Sequence, residues 1–158
     1  MSAFTPADPA GFRRLVVRIS LGGLAAAQGL VGVWAATAPA HFYSRFPAHG
    51  HGWVALLPPY NEHLVRDVGT LSLALTVVLA SGAVTCHRLL VRTGVGAFLV
   101  YAVPHTAFHG LHLDGFPVDD AAAQMAGFVL QLVLAVAAWV ATTRPRRRQV
   151  LAPEPSST

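Results

Sequence analysis

Lysine is absent from this sequence, and cysteine occurs once, as Cys86. A single cysteine excludes an internal disulfide and any cysteine-rich metal centre. Charge of either sign is scarce. Charged residues make up 11% of the chain, against roughly 25% in ordinary soluble domains, too few to coat a water-facing surface. The alternating pattern of a membrane β-barrel is missing. So are a phosphate-binding P-loop and a Ser-His-Asp arrangement. Gly94 and Gly96 open an apolar run with no strand before them, and so read as helix packing. No internal repeat is evident.

What is present is apolar and comes in blocks. Hydrophobic residues account for 54% of 158 residues, a length suited to one domain. Four apolar stretches stand out, at 15–38, 64–83, 89–108 and 121–142. About 20 helical residues at 1.5 Å rise cross a hydrocarbon core of roughly 30 Å. Backbone groups in lipid must be satisfied within the segment, so stretches of this length are expected to be helices. The expected fold is all-α: an integral membrane, up-down four-helix bundle whose helices pack through glycine and alanine faces.

Arginine distribution gives the orientation. Arg13, Arg14 and Arg18 open the first span, Arg88 and Arg92 lie between the second and third, and Arg144, Arg146, Arg147 and Arg148 follow the fourth. Only Arg45 and Arg66 belong to the opposite side. The positive-inside rule therefore places both termini and the short connection after the second span in the cytoplasm. The expected organisation is a cytoplasmic N-terminal segment at 1–12, a four-span domain at 13–143, and a cytoplasmic tail at 144–158. That tail starts Arg-rich and continues Pro/Ser-rich, as disordered segments do. The protein is expected in the cell membrane as a multi-pass chain, with the lipid bilayer as its first partner. Its arginines flank apolar spans and form no nucleic-acid stripe. The tail arginines suit anionic lipid headgroups or a membrane partner protein, and the small-residue faces also suit a homo-oligomer. Ala-x-Ala sites near residue 38 resemble signal-peptidase sites, but the run before them exceeds the ~7–15 residues of a signal h-region. The first span is therefore expected to be retained.

The longest connection joins the first two spans on the outer side. Its Phe42, Tyr43, Phe46, Trp53 and Tyr60 suit the aromatic belt of a membrane interface. Its glycines and prolines argue against a long helix there. Pro58, Pro59 and Asn61 mark the start of the second span, with Asn61 as N-cap. Asp114-Gly115 and Pro117 read as a turn, after which Asp119 or Asp120 caps the fourth span.

The chemistry-bearing residues gather toward the outer side. Seven of the eight histidines fall there, His87 being the exception. On the second span, His63 and Asp67 are four apart and share a face, as do His105 and His109 on the third. Because these spans are antiparallel neighbours, both pairs arrive at similar depth. Three imidazoles and a carboxylate suit zinc, copper or iron. The His105/His109 pair also suits a haem, and ionisable groups within a span suit proton transfer. Glu62, Arg66 and His112 are further polar candidates close by, and Gln28, Gln124 and Gln131 are placed to supply supporting hydrogen bonds.

A purely structural role fits several of these residues equally well. Glu62 and Arg66 form a favourable i,i+4 ion pair. His63 and His109 sit comfortably at headgroup depth, and His41, His49 and His51 suit a solvated loop. His105 lies deeper, 13 residues beyond Arg92, which is about 20 Å along a helix. Cys86 and His87 are adjacent and do not share a helix face.

Residues 62–75 read Glu-His-Leu-Val-Arg-Asp-Val-Gly-Thr-Leu-Ser-Leu-Ala-Leu. With the glycine-rich first span and the outer loop, this stretch resembles a group of small bacterial four-helix membrane proteins, broadly DoxX-like in size and layout. Their recurring feature is an arginine followed shortly by a glycine where the second helix enters, here Arg66 and Gly69. The resemblance spans about 15–142 and implies a four-helix bundle in the membrane. It implies no particular activity, and the His105/His109 pair lies outside its motif.

The functional expectation is therefore a His63/Asp67/His105/His109 polar site that binds a transition metal or haem, or relays protons. The alternative is a non-catalytic accessory or scaffold subunit, or a binder of a lipophilic small molecule. Neither expectation decides whether the protein is an enzyme. Transport is less favoured, because no pair of broken helices is evident.

Overall fold

The structure, a computed structural model, describes residues 8–57 and 59–143. The expected tail at 144–158 and residues 1–7 lie outside these. Among the described residues the elements are helical: α1 (Pro9–Thr37), α2 (Pro39–Arg45), a single 3-10 turn (Trp53–Leu56), α3 (Glu62–Thr85), α4 (Arg88–Leu111) and α5 (Val118–Ala141). Four of them, α1, α3, α4 and α5, are long and apolar enough to cross a membrane.

Local chemistry explains most of the boundaries. α1 begins two turns before the apolar run, because the Asp8 side chain accepts a hydrogen bond from the Ala10 amide and Pro9 occupies the first helical position. It stops at Pro39, which cannot continue its hydrogen-bond ladder. Asn61 caps α3 as expected, with Oδ1 accepting from the Leu64 amide at 3.2 Å. Cys86 ends α3 in the left-handed region (φ 51°), and His87 alone separates it from α4. Neither Asp119 nor Asp120 caps α5. Pro117 holds the N-cap position without a side-chain bond, and both acids fall in the first turn, where they oppose the positive end of the helix dipole.

The four long helices run alternately up and down. α1 packs most closely on α3 and also on α5, while α4 completes the ring against α3 and α5. The loop end of the bundle carries the α1–α3 and α4–α5 connections, and the turn end carries Cys86–His87. Leu21, Leu24, Leu79, Val91, Val95 and Phe98 are fully buried toward the turn end and the middle.

The α1–α3 contact depends on two glycines. A Cβ at Gly69 would stand 2.5 Å from the Ala36 amide nitrogen, and one at Gly32 would stand 3.0 Å from the Gly69 carbonyl oxygen. Side chains there would push the backbones apart. Arg66 adds a polar clasp three residues before Gly69. Its Nη1 donates to the Ala36 carbonyl at 2.6 Å, while Glu62 holds its Nε and Nη2 at 2.9 and 2.8 Å. Ala36 is in the last turn of α1, where carbonyls have no helical partner, so a guanidinium there satisfies the helix end and its dipole.

Candidate functional site

The α1–α3 connection folds back over the loop end instead of forming an open loop. Trp34, at the end of α1, meets Phe42 of α2 (centroids 5.8 Å apart) and Phe46 (6.0 Å), and Phe46 meets Trp53 at 6.2 Å. His41 belongs to this cluster, since its Nδ1 accepts from Trp34 Nε1 at 2.9 Å. This aromatic packing stabilises the short α2, which has no strong sequence signal of its own.

Gly50 and Gly52 both take positive φ (98° and 60°), a conformation that a side chain disfavours. The two glycines let the chain present His51 inward. His51 Nδ1 lies 2.7 Å from Asp120 Oδ1 on α5, and the Asp120 side chain is only 13% exposed. The His51 side chain itself stays 48% exposed, as expected of a loop residue. It partners a mostly buried carboxylate, an interaction 69 residues apart in sequence.

From Asp120 a column of polar and aromatic side chains runs into the bundle. On α5, Asp120, Gln124, Phe128 and Gln131 follow at helical spacing on one face. On α4, Tyr101, His105 and His109 do the same. The Tyr101 ring stacks on His105 (centroids 5.0 Å, planes 27° apart), and His105 meets His109 edge-on at 4.6 Å. Phe128 packs against both imidazoles, 5.1 Å from His105 and 5.0 Å from His109. Gln124 lies beside the His109 ring. Both residues are buried, and both keep an unpaired atom: His109 Nδ1 and Gln124 Oε1 have no hydrogen-bond partner. Buried polar atoms are rarely left so. Beside His105, a cavity of about 20 Å³ is lined by Tyr101, Ala102, Thr106, Phe128 and Gln131. That is room for one water, with several polar groups to hold it.

The residues expected to converge fall into two sets. His105 and His109 come together on the core face of α4. His63 and Asp67 pair with each other at 3.3 Å, with side chains 85% and 52% exposed. Among the described residues, no three His, Cys, Asp or Glu side chains group as metal ligands. The expected four-residue set is therefore divided, and the α4 pair, of which His109 is buried, is left with Gln124 for company. Glu62 and Arg66 are engaged at the α1–α3 joint. His112 lies exposed at the end of α4, its Nδ1 2.7 Å from the Phe108 carbonyl and its ring stacked on Phe108.

Two participants were hidden from the sequence. His51 looked like a loop histidine, because its partner lies on another helix. Tyr101 carried no expectation, although its i,i+4 spacing from His105 is a usable signal. Comparison with protein-family models, curated proteins and solved structures finds no match to this chain.

Proposed function

We propose that this is an integral membrane protein, with both termini cytoplasmic, whose outer half exchanges protons between the outer surface and the water-sized cavity beside His105 along an imidazole column. The column begins at the His51–Asp120 pair, passes Gln124 and His109, and reaches His105, on which Tyr101 stacks; a proton delivered to one nitrogen of an imidazole is matched by one released from the other. One observation carries the reading: His109 and Gln124 are adjacent and buried, and each has a polar atom unpaired. A rotation of the amide that turns Gln124 Oε1 toward the ring would give both groups a partner. Imidazole both donates and accepts, so it can pass a proton by exchanging which nitrogen holds it.

Two imidazoles and an amide fall short of the three or four protein ligands of usual zinc centres, so the geometry favours proton transfer over metal binding. Elemental analysis of detergent-purified protein, with an optical spectrum, separates the two. Near-stoichiometric metal or a haem band, lost when His105 and His109 are both replaced, overturns proton transfer in favour of a bound cofactor.

The direct test is exchange of the His105 and His109 ring N–H protons with solvent deuterium, read by NMR of 15N-histidine-labelled protein in nanodiscs. Exchange is expected within minutes in the native protein, and at least about tenfold slower in Gln124→Leu, where the hydrogen-bond step is removed. Rings that stay protected in the native protein, or exchange at the same rate in the variant, would sink the proposal.

A further inference from the structure

A second, larger cavity of about 180 Å³ lies between α1, α3 and α4, lined by Gln28, Val68, Leu71, Ser72, Leu75 and Tyr101. Three features define what it can hold. Its volume is close to the roughly 150 Å³ of an apolar cavity that accommodates benzene, so it has room for one six-membered ring. Its wall is apolar apart from a few polar groups, of which Gln28 is the most buried, at 4% exposure. Gln28 Oε1 has no hydrogen-bond partner. A buried amide oxygen of this kind favours an occupant that donates a hydrogen bond.

The route in is lateral. Leu71 is 70% exposed and Val68 is also exposed on the outside of the bundle, so in a bilayer the cavity opens toward hydrocarbon. An occupant arrives dissolved in lipid.

We infer that this cavity is a binding site for a lipophilic phenol, whose ring fills the space and whose hydroxyl donates to Gln28 Oε1 once the amide turns that oxygen toward the cavity. Tyr101 lines both this cavity and the water-sized one beside His105, so the bound hydroxyl lies near the inner end of the imidazole column. The inference requires membrane residence. It does not require proton transfer by the imidazoles.

The test uses full-length protein in phosphatidylcholine nanodiscs, with empty nanodiscs as reference. 19F NMR follows three probes of similar size: 4-fluorophenol, which donates a hydrogen bond, 4-fluoroanisole, which only accepts, and 4-fluorotoluene, which does neither. A saturable, protein-dependent shift is expected for 4-fluorophenol, with the other two binding about tenfold more weakly. Gln28→Leu is expected to abolish that preference while 4-fluorotoluene still binds, which also reports an intact cavity. Leu71→Trp, at the exposed mouth, is expected to block all three probes. Absence of saturable binding by any probe, equal binding of all three, or a phenol preference that survives Gln28→Leu would overturn the inference. Should Gln28→Leu not fold, the probe series and Leu71→Trp still decide. Failure of the native chain to enter nanodiscs would count against membrane residence, a result distinct from a nanodisc sample that binds nothing.

Discussion

At the scale of single residues, Arg66 and Gly69 act on the same joint. Gly69 lets the α3 backbone reach α1, and Arg66 closes over the Ala36 carbonyl that the approach brings within range. The spacing of Arg66 and Gly69 thus has a packing explanation here. Gly69→Ala is expected to destabilise the fold by about 1–3 kcal/mol, since the added methyl meets rigid backbone. SDS-titration unfolding followed by circular dichroism checks this, and an unchanged midpoint would mean the helices separate without penalty. His51 shows the opposite relation between sequence and role. Nothing in the string His49-Gly50-His51-Gly52 indicates a partner, yet the flanking positive-φ glycines and the distant Asp120 make it part of the column.

At the scale of elements, the α4–α5 interface differs along its length. Toward the turn end it is closed by Arg92, which lies 4.9 Å above the Trp139 ring and donates to Thr142 Oγ1 at 3.3 Å. Toward the loop end it holds the imidazoles and an incompletely satisfied amide. If that polar section exists for function, removing both unpaired groups together should not cost stability. His109→Phe combined with Gln124→Leu is expected to be as stable as the native protein or more so, because replacing both polar partners by apolar groups of similar shape is close to neutral. A loss of more than about 2 kcal/mol in the same unfolding assay would mark the section as structural, since a fold-maintaining network behaves that way. α2 is likewise an interface product. Seven residues are too few to be stable as an isolated helix, and its aromatic contacts with Trp34 and Phe46 supply what helix propensity does not.

At the scale of the whole molecule, the proposed orientation puts the α4–α5 connection outside and the Cys86–His87 turn inside. Cys86 makes a convenient native reporter. In intact cells it is expected to resist a membrane-impermeant maleimide and to react only after permeabilisation. A chain carrying Asp114→Cys with Cys86→Ser is expected to label directly from outside. The reverse pattern would invert the topology and place the imidazole column on the cytoplasmic side.

The four long helices were legible because the rule that makes them is local. A segment in hydrocarbon must satisfy its own backbone and match a fixed thickness, so run length and hydrophobicity suffice. The Asn61 cap was legible for the same reason, as an interaction within three residues. The early start of α1 was also written locally, in Asp8-Pro9, but the apolar run drew the boundary later. What lay beyond the sequence was the rotation of each helix about its axis. Both i,i+4 histidine-bearing pairs looked equivalent as patterns, yet only one faces the core. α3 turns Gly69, Ser72, Leu79 and Gly82 inward, and at about 100° per residue Asp67 then stands roughly 160° from Gly69, on the outside with His63. α4 turns Val91, Val95, Phe98, Ala102 and His109 inward, carrying His105 alongside. The order of residues by itself determined that this chain makes four long apolar helices with polar groups toward one end, because run length and the positions of polar residues are local properties. The close α1–α3 contact at Gly32 and Gly69 helped decide which of those groups are buried together, because side-chain direction depends on what each helix packs against.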